Sequence, residues 1–329
     1  MRPALFSGQR VVVAIIFLLL LISPTFLSSF LLTLLTQALI YAILAMSLDI
    51  ILGYTGLASL GHAAYFGLGA YGVGILAARH GAGFWITLPV GVLLAVAVAA
   101  IFGLVALRAT GVYFLMITLA LGMVVWGLAH RWVTMTQGDN GISAIPRPDL
   151  GLPWSLAHSV PFYYFALAGF FISFWILLVI VRSPFGRSLV GIRESESRMR
   201  TLGYHVWLHK YIGFVIAGGF AGFAGVLWAY YNGFVGPTDL QLATSVEVLL
   251  MVALGGRGTL LGPALGAGMI VLLKNLVSVY THRWLLILGV VYIATIVYAP
   301  EGIVGAMRQW RRRVRPALVR SELEDQFGG

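Results

Sequence analysis

Apolar residues fill the chain in blocks of about twenty positions, and polar residues collect in the gaps between them. A hydrocarbon core of about 30 Å is crossed by roughly 20 helical residues at about 1.5 Å each. Runs of suitable length lie near Val11–Leu32, Thr33–Leu52, His62–Ala78, Trp85–Leu107, Val112–Thr134, Ser159–Val181, Tyr211–Tyr231, Leu240–Leu254, Gly262–Val277 and Trp284–Ala299. The runs ending at Leu254 and beginning at Gly262 are short. The pattern predicts an all-α polytopic membrane protein with about ten transmembrane or partly spanning helices. No A-x-A-like site closes the first run, so it reads as a retained helix rather than a cleaved signal.

Composition agrees: 60% of residues are hydrophobic, only 10% are charged, and mean hydropathy is +0.95. Soluble domains carry about 25% charged residues. The net charge of +10 therefore points to the cytoplasmic loops of a membrane protein, not to nucleic acid. With the N-terminus inside and the spans alternating, the inside segments hold Arg2, Arg10, Arg108, Arg182, Arg187, Arg193, Arg198, Arg200, Lys210, Arg257 and the tail arginines, 16 of the 21 basic residues. That bias predicts both termini in the cytoplasm, and hence an even number of spans. The absence of cysteine removes thiolate chemistry and Cys-ligated metal.

Two loops exceed a simple turn. The outer one, from Met135 to His158, contains "TQGDNGISAIPRPDLGLP", whose prolines and glycines prevent a long regular helix. The inner one covers residues 182–210. Within it, Leu189, Ile192, Met199 and Leu202 recur at helical spacing with Arg and Glu between them, and Gly203 follows as a C-cap. This predicts one short amphipathic helix over Ser188–Leu202. It either rests on lipid headgroups or docks in a partner's groove.

The stretch "LGYTGLASLGHAAYFGLGAYGVG" from Leu52 contains a literal G-x-G-x-x-G at Gly67, Gly69 and Gly72. A dinucleotide fingerprint needs a preceding strand and an acidic residue about 20 positions on. Here the segment is apolar and the next acidic residue after Asp49 is Asp139. A Walker A loop is missing too, since neither Lys210 nor Lys274 is followed by Ser or Thr. The glycines are left with helix packing or with broken helices, which membranes tolerate where they face protein or a water-filled cavity. "LGYTGLASLGH" and "LGGRGTLLGP" are the candidate breaks.

Several segments resemble the permease subunits of branched-chain amino acid ABC importers, closer to the LivM than to the LivH branch. They are "ILGYTGLASLGHAAYFGLGAY" from Ile51, "TQGDNGISAIPRP", "GIRESESRMRTLGYHVWLHK" from Gly191, "AGGFAGFAGVLWA" and "SVEVLLMVALGGRGTLLGPALGA". The resemblance covers about Thr33 to Pro300. Arg257 departs from it, standing where an uncharged residue is expected, and bears on how that break packs. Taken with the charge bias, the resemblance implies one transmembrane permease domain over 1–329, with 182–210 as its cytoplasmic coupling loop, and the charges of 308–329 make that segment a basic-to-acidic cytoplasmic tail. It implies a second, LivH-type permease subunit, two cytoplasmic ATPases that use ATP-Mg, and a periplasmic substrate-binding protein. This chain would be no enzyme, would bind no cofactor or metal itself, and would sit in the bacterial inner membrane.

The site residues follow from these readings. Ser59, Gly61, His62, Gly67, Gly69, Ser245, Glu247, Gly255, Gly256 and Gly258 are assigned to the translocation path or its helix breaks. By resemblance, Arg193, Glu194, Ser195, Glu196, Arg198, Leu202 and Gly203 form the ATPase coupling motif, with Met199 beside Leu202 as an apolar anchor. Gly138, Asn140, Gly141, Ile145 and Pro146 would meet the binding protein. Ionisable residues inside spans are costly and need an account. Asp49 reads as snorkelling or capping a helix, His62 as a structural hydrogen bond or a substrate contact, Glu247 as a helix cap, and Lys274 as snorkelling or paired with an acid. An ion-coupled carrier or channel for a small solute is the alternative to an ATP-driven importer, with a membrane-embedded enzyme third.

Overall fold

The computed structural model describes residues 18–151, 155–280 and 284–298, with Gly302 and Gly305. The basic N-terminal residues and the 308–329 tail lie outside the described residues. Residues 18–26 are helical and lead into α1 (Ser29–Asp49), capped by Ser28. The other helices are α2 (His62–Val73), α3 (Phe84–Ala106), α4 (Val112–Arg131), α5 (Ser159–Arg182), α6 (Pro184–Glu194), α7 (Glu196–Thr201), α8 (Val206–Asn232), α9 (Leu242–Gly255), α10 (Leu261–Tyr280) and α11 (Trp284–Tyr298). Wide helical turns extend α1 to Tyr54 and α2 to Arg79.

Six of these helices are long and apolar enough to cross a membrane: α1 with its extension, α3, α4, α5, α8 and α10. Residues 18–26, α2 with its extension, α9 and α11 are shorter helical segments. Among the described residues, six of the predicted apolar runs thus coincide with helices long enough to cross, and the other four with shorter helical segments. The sole strand-like feature among them is an isolated antiparallel bridge between Ile142 and Val235.

The core is built by small residues. α8 packs on α1, α2 and α3, and glycine lets the backbones come close. A Cβ on Gly69 would collide with the Gly222 carbonyl, one on Gly225 with the Phe66 carbonyl, and one on Gly72 would stand 2.8 Å from the Gly91 Cα. Gly218 and Gly222 face Ala99 and Ala95 in the same way. Apolar side chains are as comfortable in lipid as in protein, so close van der Waals contact is what holds such helices together. The G-x-G-x-x-G of α2 is thus one side of a three-helix seam. Around it, Tyr65 meets Phe214 edge-on at 5.8 Å and Tyr41 meets Trp228 at 5.4 Å.

The seam predicts a contrast between glycines. Gly225→Val should destabilise the purified chain by about 1–3 kcal/mol, the usual cost of overpacking. Gly127 on α4 has no neighbour within 4 Å of a would-be Cβ, so Gly127→Ala should leave stability level or slightly raised. Thermal unfolding in detergent checks both.

Candidate functional site

Both glycine-rich stretches break helices, and the breaks meet. The first leaves helical geometry at Thr55 and resumes it at His62. The second separates α9 from α10 over residues 256–260. Asp49, fully buried in the last turn of α1, joins them. Its Oδ1 accepts the Gly258 N–H at 2.7 Å, and its Oδ2 accepts the Leu260 N–H at 3.2 Å. Gly258 sits at φ +72°, a left-handed conformation that costs glycine little. Asp49 thus caps the break in front of α10, not its own helix. Backbone N–H groups left unpaired at membrane depth cost several kcal/mol each, and a carboxylate is their strongest acceptor.

A third element reaches this junction. Arg193, near the end of α6, donates from Nη1 to the Gly53 carbonyl. Its aliphatic stem lies under Gly56, whose would-be Cβ stands 2.8 Å from Arg193 Cγ, and its Nη1 lies 3.3 Å from that of Gly258. Gly56 has φ +79°, so the chain turns away there and leaves room for the arginine. The neighbouring Arg257 is exposed, so the charge that departs from the expected pattern does not fill the junction.

Deeper in the bundle the path residues are drawn together. Ser47 Oγ and His62 Nε2 hydrogen-bond at 2.7 Å, both fully buried. Ser245 Oγ accepts the Ala63 N–H at 3.0 Å, tying α9 to the start of α2. Gly61 packs on the Thr118 carbonyl and beside Gly122 of α4. Ser59 is wholly buried, while Gly67 faces Leu240 and Gly69 lies in the seam. Gly255 and Gly262 pack backbone to backbone across the second break, and Gly256 with φ +111° closes α9.

Glu247 is no helix cap. It is buried on α9, and Lys274 of α10 donates to both its oxygens at 3.0 and 3.1 Å. Of the alternatives for Lys274, the pairing with an acid is the one found. The pair holds α9 and α10 together across the second break.

The inner loop differs from expectation in two ways. It forms two helices, not one, because Ser195 is extended (φ −162°, ψ 101°) and caps α7 by accepting the Arg198 N–H. Ser183 caps α6 likewise, with Pro184 in its first turn. Met199 is not a free anchor: it is buried with Ile192 and Val206. Glu196 is also committed, to Lys210 and, at 3.5 Å, to Arg200. Glu194, Arg198 and Leu202 remain on the surface, Leu202 at 66% exposure. Gly203, at φ +87°, ends the motif as the spacing predicts. Asp49, Gly53 and Lys210 belong to this site and lie outside the sequence-derived assignment. The spacing of Asp49 to its partners, more than 200 residues, leaves no local signal.

The outer loop folds onto the bundle. Ile142 exchanges backbone bonds with Val235 at 2.8 and 3.0 Å, and the Ile145 N–H reaches the Gly233 carbonyl. Gly138, Gly141 and Ile145 are buried, whereas Asn140 and Pro146 are exposed. Arg147 stacks over Phe162 at 4.3 Å, and burial pulls its guanidinium below its ordinary pKa. His130 Nδ1 meets Asp139 Oδ1 at 2.7 Å.

Glycine-broken helices joined at membrane depth, with a folded loop bound beneath them, define a multi-pass transport protein. The chain belongs to the branched-chain amino acid transport permeases: residues 30–297 match the family described as branched-chain amino acid transport system / permease component. It is 32% identical over 295 residues to the high-affinity branched-chain amino acid transport system permease protein LivM of Escherichia coli (strain K12), covering 83% of this chain and 69% of that one. The LivM of Salmonella typhimurium gives the same identity and coverage. A probable branched-chain amino acid transport permease protein LivM of Methanocaldococcus jannaschii is 28% identical over 160 residues, 43% of this chain and 46% of that one. Among solved structures none matches the chain.

The buried ion pair gives a test. Lys274→Met should strand the Glu247 carboxylate and destabilise the chain by about 3 kcal/mol, the low end for a broken buried pair because Lys274 is partly exposed. Glu247→Gln combined with Lys274→Met should cost less than Lys274→Met alone. Melting temperatures of the single and double variants decide it.

Proposed function

We propose that this chain is one permease subunit of an ATP-driven importer that carries branched-chain or similar small hydrophobic amino acids across the bacterial inner membrane. It pairs with a second, related permease and works with two cytoplasmic ATPases and a periplasmic binding protein. The path opens alternately to either side as the ATPases close and part. The observation that carries the reading is the 182–210 loop. One of its faces is bound to the bundle through Arg193, Met199 and Glu196, and the other presents Glu194, Arg198 and Leu202. A loop held on one side and open on the other suits the transmission of a partner's motion. The names of the relatives support the solute class. Asn140 and Pro146, the exposed members of the outer motif, are offered to the binding protein.

The docking role predicts that Leu202→Asp releases the ATPase. A central apolar anchor is worth about 2 kcal/mol or more, so affinity should fall at least about thirtyfold. Co-purification of the ATPase with tagged permease measures this. A variant complex that stays assembled and hydrolyses ATP in step with uptake would remove the loop from the coupling role.

Sidedness has its own check, since the chain has no native cysteine. Ser143 and Ser197 are both exposed, one on each long loop. A membrane-impermeant thiol reagent applied to intact cells should label Ser143→Cys and spare Ser197→Cys. The reverse pattern overturns the orientation.

A further inference from the structure

We propose that Arg193 is the residue through which the inner loop holds the two helix breaks closed, acting on the membrane junction and not on the ATPase. The proposal rests on the permease reading and adds a direction to one member of the coupling motif. Arg193 is an exposed residue, yet its guanidinium donates back to the Gly53 carbonyl. Its stem fills the space that Gly56 leaves open, and its Nη1 lies beside Gly258. Gly258 and Leu260 are held in turn by the buried carboxylate of Asp49. One side chain thus touches α6, the end of α1 and the break before α10.

Position gives this contact its consequence. Asp49 ends a helix of 21 residues, so it lies roughly 30 Å from the opposite end of α1, at the end of the bundle that meets the 182–210 loop. The non-helical residues 55–61 rise from there back into the bundle, since His62 bonds to Ser47 in the helix above Asp49. Ser59, wholly buried, lies on that rising stretch. Loosening the Arg193 contact under Gly56 would free the stretch that carries it. The Gly53 carbonyl belongs to the wide turn that follows α1, where backbone acceptors are freed from the regular ladder. An arginine bound there is lost or kept as α6 moves, and α6 continues directly into the surface that carries Glu194, Arg198 and Leu202.

The test uses the assembled complex in inside-out vesicles, with Ser59→Cys as a reporter for a hydrophilic thiol reagent. In the wild-type background the reporter should be protected in the absence of nucleotide. Arg193→Met keeps the stem and removes the charge and donors. It should retain the ATPase in co-purification, raise Ser59→Cys labelling, and lower uptake per ATP hydrolysed by about tenfold, within the usual span of coupling between sites. Arg193→Lys should restore protection and part of the coupling. Arg193→Gln repeats the measurement should the methionine variant fail to reach the membrane. Release of the ATPase by Arg193→Met with unchanged labelling would make Arg193 a docking residue and overturn the proposal. So would wild-type uptake and protection in the methionine or glutamine variant, or failure of lysine to restore anything. A wild-type complex that binds no ATPase would instead sink the importer reading, while the labelling pattern would still report on the junction.

Discussion

The junction of the two helix breaks depends on one acceptor, the carboxylate of Asp49. A helix that stops inside a membrane leaves its first N–H groups without intrahelical partners, and lipid offers none. Asp49 supplies acceptors for two of these groups in the break before α10, at Gly258 and Leu260. Bonds to a charged group contribute about 1.5–3 kcal/mol each, enough to hold a short break in one conformation. The carboxylate is then itself a buried charge, which is expensive unless balanced. Arg193, arriving from the 182–210 loop, lies at the edge of this junction, bound to the Gly53 carbonyl and beside Gly258. The breaks, their cap and the loop are therefore joined by hydrogen bonds and close packing, although they are far apart in sequence.

A second constraint shapes the rest: in lipid, helices associate where their backbones can touch. The glycines of α2, α3 and α8 fill that role at Gly69, Gly72, Gly91, Gly222 and Gly225. This divides the glycines into two kinds. Those of the seam are defined by what a Cβ would strike. Those of the breaks, such as Gly56 and Gly258, are defined by backbone conformation as well. A rigid seam beside a deformable junction is an arrangement in which motion can be confined to one end of the molecule.

The same division explains what could be read from the sequence. Spans follow from runs of apolar residues, and breaks follow from clustered glycine and proline, because both are local properties of the chain. Gly203 was legible as a helix end for the same reason. Ser195 as an interruption was not: the Leu189, Ile192, Met199, Leu202 spacing fits a continuous helix, and only the packing of Met199 under Gly191 shows that α7 folds back. Asp49 was visible as a costly residue in a span, and a cap was one of its readings. Its partners were hidden, since the contact closes a loop of more than 200 residues. Lys210 carried information about topology alone until its pairing with Glu196 placed it inside the loop's hinge.

The ionisable groups at membrane depth share a pattern that bears on function. Glu247 with Lys274 joins α9 to α10 on one side of the second break. Asp49 joins α1 to the other side of it. The break is thus held between two polar contacts of different character. The ion pair is satisfied within the bundle, and truncating it mainly costs stability. The Asp49 contact lies beside Arg193 of the 182–210 loop, which binds the neighbouring Gly53 carbonyl, so under the proposal above its strength varies with that loop's position. On that proposal, a partner acting on the loop loosens one contact without disturbing the other. α10 then has a fixed support on one side of the break and an adjustable one on the other, which is the mechanical requirement for a gate that opens at one end while the span stays anchored.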